Sequence, residues 1–170
     1  MQSCDALIYL KALDLDGIEH LLAHGSLPPN ELPAFEGSLP PPHVLLRSQQ
    51  ALRSGCASVW ATPFHIVDGA QQRVVGGCGF KGAPQDGEVE IGYAVAPSQK
   101  RRGFARAGIS LLLPLAAEQR SDIKLVALIA LDNTASRCLA EQLGFAYAGQ
   151  RIDSDGKRCE AWCWQDLRRK

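Results

Sequence analysis

The stretch EIGYAVAPSQKRRGFA, residues 90–105, decides the fold. Its first six residues are typical of a strand, and the small and apolar residues that follow Gly103 are typical of a helix. The turn between them carries three consecutive cations, Lys100, Arg101 and Arg102. A strand that leads into a helix across such a turn leaves several backbone N–H groups unpaired at the positive end of the helix dipole. The stretch therefore predicts an anion site, and a diphosphate is the natural ligand.

Small residues allow close contact with that anion. Gly103 and Ala105 have little side-chain bulk, so the backbone of this first turn, which includes Phe104, can come within hydrogen-bonding range of a phosphate. Arg106 adds a fourth cation. The alternative is that the basic run is a solvated loop, and the stretch taken alone leaves both interpretations open.

Composition narrows the class of protein. The chain has 170 residues and is 46% hydrophobic, which predicts a single domain over residues 1–170. Its 18 acidic and 18 basic residues balance, which argues against a nucleic-acid partner. No apolar run is long enough to span a membrane and the N-terminus lacks a signal-peptide pattern, so we expect a cytoplasmic protein with no membrane partner.

Cysteine and histidine spacing gives no metal site. The six cysteines show no paired CxxC spacing, and the four histidines do not form a metal-spaced set. We therefore expect no metal and free, mostly buried thiols.

The remaining patterns predict a mixed α/β organisation. Strands are expected at 6–13, on either side of an Asp68–Gly69 turn, at 88–95 and 124–132, and in a closing hairpin around DSDGK at 153–157. Helices are expected from Asp14 or Asp16 to Gly25, from Pro42 to Ser54 after a proline-rich loop, from Gly103 onward with Pro114 kinking it or ending its first half, and from 133 to a stop at Gly144.

One glycine pattern favours a different class of protein. GCGFKG, residues 77–82, satisfies the dinucleotide fingerprint Gly-x-Gly-x-x-Gly. That fingerprint needs a helix starting at the glycines, whereas a turn and a strand follow here. We interpret Gly76, Gly77 and Gly79 as bulge or close-packing glycines of a strand.

Two motifs together resemble the GCN5-related N-acetyltransferase (GNAT) superfamily. Its coenzyme A motif is a strand, then Gln or Arg, two residues, Gly, one residue, and Gly or Ala, and here Gly103 and Ala105 match. Lys100 stands at the Gln or Arg position, with Gln99 one place too early. The second motif is DNTASRCLAEQLGF, residues 132–145, which looks like the family's Asn-x-x-Ser helix ending in Gly-Phe. The likeness covers residues 88–145 and is greatest to the branch with ribosomal-protein N-terminal acetyltransferases.

The resemblance implies a fold and an activity. The fold is α+β, with a central, mostly antiparallel twisted sheet of about seven strands flanked by about four helices in α/β/α layers. The activity is direct transfer of an acetyl group, within a ternary complex, from acetyl-CoA to a primary amine of a small molecule or a peptide N-terminus. The alternative is a non-catalytic module of the same fold that binds coenzyme A.

The resemblance also implies where the cofactor binds. The basic turn, with Lys100, Arg101, Arg102 and Arg106, would hold the pyrophosphate. The backbone of Tyr93, Ala94 and Val95 would bind the acyl carbonyl and pantetheine amides where their strand splays from the next one. Asn133 would bond the pantetheine arm, although a helix N-cap would look the same in sequence.

The chemistry requires a neutral amine and a protonated leaving thiol. Near pH 7 an α-amino group of pKa about 8 is roughly one-tenth neutral, and a lysine at about 10.4 is neutral in fewer than one molecule in a thousand. Glu90 is the first candidate base, acting through a water molecule, and Glu160 is the second. A surface ion pair is the alternative role for Glu90.

The candidate acid is less conventional. Many family members carry a tyrosine seven residues after the motif asparagine, where this chain has Ala140. Ser136 is the proposed replacement, because its hydroxyl could donate to the sulfur, and its alternative role is a bond back to its own helix. The segment 27–54 is expected to form the acceptor pocket. Whether the chain forms a homodimer is left open.

Overall fold

A computed structural model describes residues 7–165 of the chain. It contains seven strands, β1 Ile8–Ala12, β2 Phe64–Asp68, β3 Arg73–Phe80, β4 Glu88–Val95, β5 Lys124–Ala130, β6 Ala146–Ile152 and β7 Arg158–Gln165. It contains five α-helices, α1 Leu15–His24, α2 Pro42–Arg53, α3 Ser58–Ala61, α4 Phe104–Gln119 and α5 Thr134–Gln142, and a 3₁₀ turn at Pro97–Gln99. The predicted positions Cys4, Ala6, Asp166 and Leu167 lie outside the described residues.

The strands form one sheet in the order β1-β2-β3-β4-β5-β7-β6. Every neighbouring pair is antiparallel except β4 and β5, which are parallel and are joined by α4. A parallel pair needs such a crossover connection, which explains why the basic turn and its helix lie between these two strands. The predicted mixed fold with a mostly antiparallel sheet is confirmed.

Helix ends follow the expected capping residues. The Asp14 side chain accepts a hydrogen bond from the Gly17 N–H at the start of α1, and Gly25 ends that helix with φ of 67°. α4 continues through Pro114 to Gln119, so the proline does not end it. Pro114 has no N–H to give to the Ser110 carbonyl, and Ser110 lies on the exposed side where water can bond that carbonyl.

Helices cover both faces of the sheet. The Cys78 thiol points to the Gly108 carbonyl of α4, and Ile109, Leu112 and Ala116 of that helix are buried in the main core. Gly77 and Gly79, which alternate with Cys78 along β3, face a cavity lined by α2 on the other side. α1 and α2 pack on each other through a second cluster, Leu13, Ile18, Leu21 and Leu45.

The structure adds one helix to the predicted set. α3, Ser58–Ala61, lies within the segment that was expected to be strand and loop, and it brings Trp60 against the Phe80 ring at 4.9 Å between centroids. A four-residue helix is too short to leave a periodic pattern, so tertiary packing and not local sequence fixes it.

The glycine-rich strand behaves as expected. β3 carries a bulge where Ile66 pairs with Gly76 and Val67 with Val74. A Cβ at Gly76 would overlap the Ala94 carbonyl oxygen of β4, so this position requires glycine. The prediction of bulge and close-packing glycines is confirmed.

Five cysteines fall within the described residues, and all five are free. Only Cys78 and Cys159 are buried, so the expectation of mostly buried thiols is wrong. Across residues 7–165 no helix combines the length and apolar character that crossing a membrane requires. In the same residues His, Cys, Asp and Glu side chains do not gather in threes that could hold a metal ion.

A buried histidine makes stability depend on pH. His65 is 3% exposed, and neither ring nitrogen has a hydrogen-bond partner among the described residues. Burial, helped by the Lys11 ammonium and opposed by the Glu31 carboxylate, lowers the pKa of His65 from 6.5 to about 4. Below pH 6.5 the unfolded chain therefore binds a proton that the folded chain excludes, so stability is highest above pH 6.5 and falls toward pH 4.

We expect His65 to account for about 3 kcal/mol of the stability lost between these pH values. His65→Leu should reduce the loss measured by urea unfolding at the two ends of the window, and His24→Leu, on the exposed end of α1, should not. An equal pH dependence in wild type and His65→Leu would show that the unpaired ring does not control it.

Candidate active site

The parallel strands β4 and β5 separate in the middle of the sheet. They pair only from Glu88 opposite Lys124 to Glu90 opposite Val126, although β4 continues to Val95 and β5 to Ala130. Backbone groups that turn toward the gap beyond Glu90 have no strand partner, and such groups need another ligand or water. The separation therefore opens a backbone-lined cleft in the centre of the sheet.

Alternation along β4 identifies the residues that face the cleft. The Glu90 carbonyl bonds the Lys81 N–H and the Ala96 N–H bonds the Val75 carbonyl, so even-numbered residues direct their backbone groups to β3. Tyr93 and Val95 consequently direct theirs to the cleft, as the resemblance implies. Ala94 directs its carbonyl to β3, so the implied backbone role does not fit Ala94 and fits the odd-numbered residues only.

A cavity of about 510 Å³ fills the cleft and passes from one face of the sheet to the other. Asn133 and Ser136 line it at the start of α5, and residues from Ser38 to Ser48, in and before α2, line the opposite end. Its floor between these ends is made of small residues of β3 and β4, Gly77, Gly79, Gly92 and Ala94. Two molecules entering from opposite faces could therefore meet inside the sheet.

The basic turn beside this cleft presents free backbone donors. No backbone N–H from Lys100 to Arg106 has a hydrogen-bond partner in the part of the chain that the structure describes, and no side chain caps α4. Arg101 and Gly103 are left-handed, with φ of 63° and 83°. Successive N–H groups in such a conformation form a concave anion site at the positive helix end.

The cations of the turn take two kinds of position. Arg102 donates to the Gln99 side chain and lies 5.3 Å from the centroid of the buried Phe104 ring. Gln99, one place before the family's position, is itself buried and so orients Arg102. The other three side chains are exposed and make no ion pair within residues 7–165: Lys100, Arg101 and Arg106.

The turn fits the diphosphate of a coenzyme A molecule. A Cβ at Gly103 would meet nothing within 4 Å, so the space beside its backbone is open to a ligand. The donors and spare cations of this turn together offer an anion site at the end of β4, although residues 95–106 do not themselves line the 510 Å³ cavity.

Asn133 and Ser136 meet at the start of α5. The Asn133 Oδ1 accepts the Ser136 N–H at 3.1 Å, so Asn133 is the N-cap of this helix and its amide nitrogen is left to bond a ligand. Burial raises the pKa of Tyr93, and the nearby Ser136 hydroxyl opposes that shift. The Ser136 side chain thus lies close to Tyr93, and it makes no back-bond to its own helix within residues 7–165.

Glu90 lies beside the cavity in an ion pair. Its Oε1 accepts from the Lys81 Nζ, and its side chain is 28% exposed. Lys81 lines the cavity, whereas the Glu90 side chain does not. The carboxylate can reach the cavity only past the ammonium or through a water molecule, which is the geometry expected for a base that acts at a distance.

Glu160 is tied into the structure away from the cavity. It accepts from Arg137 Nη1 at 3.4 Å and from Trp162 Nε1 at 3.1 Å, and its side chain is 15% exposed. These bonds satisfy the carboxylate, and it does not line the cavity. Glu160 therefore remains the weaker candidate base.

One site residue, Lys81, and one side-chain role, that of Tyr93, were not identified from the sequence. Lys81 directly follows a glycine-rich strand that offers no charge pattern, and only the pairing of Gly79 with Gly92 in the β3–β4 ladder places it near Glu90. The Tyr93 side chain could have been found, because odd-numbered β4 positions alternate with Glu90 and so face α5.

Comparisons with known proteins agree with this geometry. The family model for the Acetyltransferase (GNAT) domain matches residues 35–146. The chain is 33% identical to YjdG of Bacillus subtilis (strain 168), an uncharacterized N-acetyltransferase, over 81 residues. These residues make up 47% of this chain and 48% of YjdG. The match thus spans about half the length of this curated relative.

Solved structures resemble the whole described fold. The ribosomal-protein-S5-alanine acetyltransferase of Vibrio fischeri is 11% identical, with a TM-score of 0.66 over 96% of this chain and 95% of that one. RimL, a ribosomal L7/L12 alpha-N-protein acetyltransferase solved with coenzyme A, is 18% identical, with a TM-score of 0.61 over 93% of each chain. A Vibrio cholerae and hSSAT chimera of the spermidine N-acetyltransferase SpeG is 15% identical, with a TM-score of 0.64 over 93% and 95%. At these sequence identities the structural similarity shows only that the chain shares the fold of these proteins.

Proposed function

The chain belongs to the GNAT acetyltransferase family, and from that premise we propose that it transfers an acetyl group from acetyl-CoA to a primary amine. The observation that carries the proposal is the cavity of about 510 Å³ that joins the two faces of the sheet between β4 and β5. A donor that enters past α4 and an acceptor that enters past α2 would meet there without an intermediate carried by the protein.

The proposed donor is held by backbone more than by side chains. The free N–H groups of the turn from Lys100 to Arg106 bind the diphosphate, with the exposed cations beside them. Tyr93 and Val95 offer cleft-facing backbone groups, and Asn133 offers its amide nitrogen, to the pantetheine arm. Acetyl-CoA supplies an activated acyl group whose thiolate is a good leaving group.

Glu90 is the proposed base. It removes a proton from the amine through a water molecule, and the ion pair with Lys81 orients its carboxylate. The base is needed most for amines of high pKa, because their neutral fraction near pH 7 is smallest.

Ser136 is the proposed acid. Its hydroxyl lies near that of Tyr93, which can return a proton to it after it donates to the departing sulfur. Tyr93 thereby takes over part of the role that the family gives to the tyrosine absent at Ala140. A thiol of pKa about 8.5 needs only modest assistance to leave.

The acceptor is proposed to be a small amine or a peptide N-terminus. Two of the structural neighbours are named for acetylating ribosomal proteins and one for acetylating spermidine. Pro40 and Pro41 line the α2 side of the cavity, whose volume of about 510 Å³ is large enough for a small amine or the end of an extended chain.

A thermal shift with acetyl-CoA tests the donor site. At 100 times the dissociation constant, binding stabilises the folded state by about 2.7 kcal/mol, which raises Tm by roughly 5 to 10 °C for a domain of this size. Dephospho-CoA and ATP are the controls for recognition of the whole donor. Release of free thiol on adding amines then separates an enzyme from a module that only binds coenzyme A. The absence of any shift with acetyl-CoA would contradict the proposed donor site.

A further inference from the structure

The α2 end of the cavity has a positive electrostatic character. α2 has 12 residues, its N-cap Pro41 provides no side-chain cap, and its N-terminal turn lines the cavity. Arg47, one turn further along, also lines the cavity and has no carboxylate partner among residues 7–165. A helix N-terminus and an unpaired guanidinium thus point to the same space.

A hydroxyl in the same wall is open to a ligand. The Ser48 residue is 5% exposed and lines the cavity next to Arg47. Its hydroxyl has no hydrogen-bond partner within the part of the chain that the structure describes and is not among the fully buried unpaired atoms, so it faces the cavity. The wall therefore offers both a charge and a neutral donor to one ligand group.

The other ionisable groups of the cavity do not cancel this charge. Lys81 is already paired with Glu90 on the floor, so together they add no net charge. Asp155 lies in the turn between β6 and β7 and also lines the cavity, but it forms no ion pair with Arg47. His43 adds a further nitrogen donor or acceptor to the α2 wall.

We propose that Arg47, Ser48 and the N-terminus of α2 bind a carboxylate of the acetyl acceptor, so that the acceptor is a primary amine that also carries a carboxylate. This inference rests on the proposed function for the amine. Arg47 and Ser48 are specificity residues, because they hold the far end of the acceptor while its amine reaches the cleft. A polyamine fits poorly, because its second ammonium would lie against the Arg47 guanidinium.

Matched acceptors test the charge directly. The kcat/KM is measured at saturating acetyl-CoA for γ-aminobutyrate, its uncharged amide and the diamine putrescine. A second pair, a Gly-Asp-initiated and a Gly-Asn-initiated tetrapeptide amide, distinguishes a small molecule from a peptide as the source of the carboxylate. In at least one pair, kcat/KM should be about tenfold or more higher for the member with the carboxylate, as a charge-assisted hydrogen bond predicts. Putrescine should have the lowest kcat/KM.

Variants of Arg47 and Ser48 test whether these residues cause the preference for an acceptor with a carboxylate. Arg47→Gln should lower kcat/KM for the carboxylate acceptor about 10- to 100-fold and that for the uncharged amide much less, and Arg47→Lys should restore part of the loss. Ser48→Ala should lower it by about fivefold. Arg53→Gln is the matched control, because Arg53 lies on the same helix and pairs with Glu19 outside the cavity.

Two results would overturn the carboxylate subsite while the proposed function stands. One is an equal kcat/KM for both members of both acceptor pairs. The other is an Arg47→Gln variant whose kcat/KM falls equally for charged and uncharged acceptors. If no amine is acetylated, the proposed function fails and calorimetry decides the subsite. Binding of γ-aminobutyrate to the CoA-saturated wild type and not to Arg47→Gln would support it, and no difference in binding would refute it.

Discussion

Gly103→Glu is expected to weaken acetyl-CoA binding by more than about 100-fold. Gly103 has φ of 83°, a conformation that strains any other residue, and its missing Cβ faces open space at the free N–H groups of the basic turn. A glutamate there places bulk and negative charge where the diphosphate would bind, and the apposition of like charges costs several kcal/mol. Equilibrium titration with acetyl-CoA measures the loss.

Gly25→Glu is the matched control for strain. Gly25 ends α1 with φ of 67° and also has open space at its Cβ, but it lies far along the chain from the basic turn. Both variants should lose similar stability without ligand, and only Gly103→Glu should lose the ligand-induced rise in Tm. Unchanged acetyl-CoA affinity in a folded Gly103→Glu protein would refute the diphosphate site.

Glu90→Gln is expected to lower kcat about 100-fold with little change in donor affinity. The amide keeps the size of the side chain and can still accept from Lys81, but it cannot take a proton from the amine. Raising the pH should restore part of the loss, because a larger fraction of the amine is then neutral without help from a base. The loss should be larger for a lysine-like amine than for an α-amino group, since the former depends more on the base.

Glu88→Gln provides the comparison for Glu90. Glu88 lies on the same face of β4, where Arg151 first and Lys124 next hold the pKa of its carboxyl below the ordinary value. Its loss should cost some stability and leave kcat within about twofold. If Glu90→Gln keeps the wild-type pH profile, then Glu90 is only a surface ion-pair partner.

The donor half of the site could be predicted from sequence because it is local. The strand before Gly103, the basic turn and the helix after it are contiguous, and so are Asn133 and Ser136 at the start of α5. The signals for these elements span short stretches of the chain, so they can be recognised in a single sequence. They are strand and helix periodicity, capping residues and two family motifs.

The proposed acceptor half could be predicted only as the segment 27–54, because which of its residues reach the cavity depends on tertiary pairing. Lys81 meets Glu90 only through the β3–β4 register, and Arg47 and Ser48 reach the cavity only because α2 lies across it from the glycines of β3. The hydrophobic periodicity of a helix indicates which of its sides is buried, but it does not indicate which element packs against that side. The extra α3 was missed for the same reason, since four residues leave no period.

The sheet order has a consequence for how the chain acquires its site during synthesis. β7 lies between β5 and β6, although β6 is made before it. Until Arg158–Gln165 has emerged from the ribosome, β5 has an open edge and β6 has no neighbour to pair with, so both are exposed to mispairing. The β5 wall of the cleft is therefore among the last parts of the protein to become native, and a ribosome that stalls before Arg158 holds a chain with a finished basic turn and no working cavity.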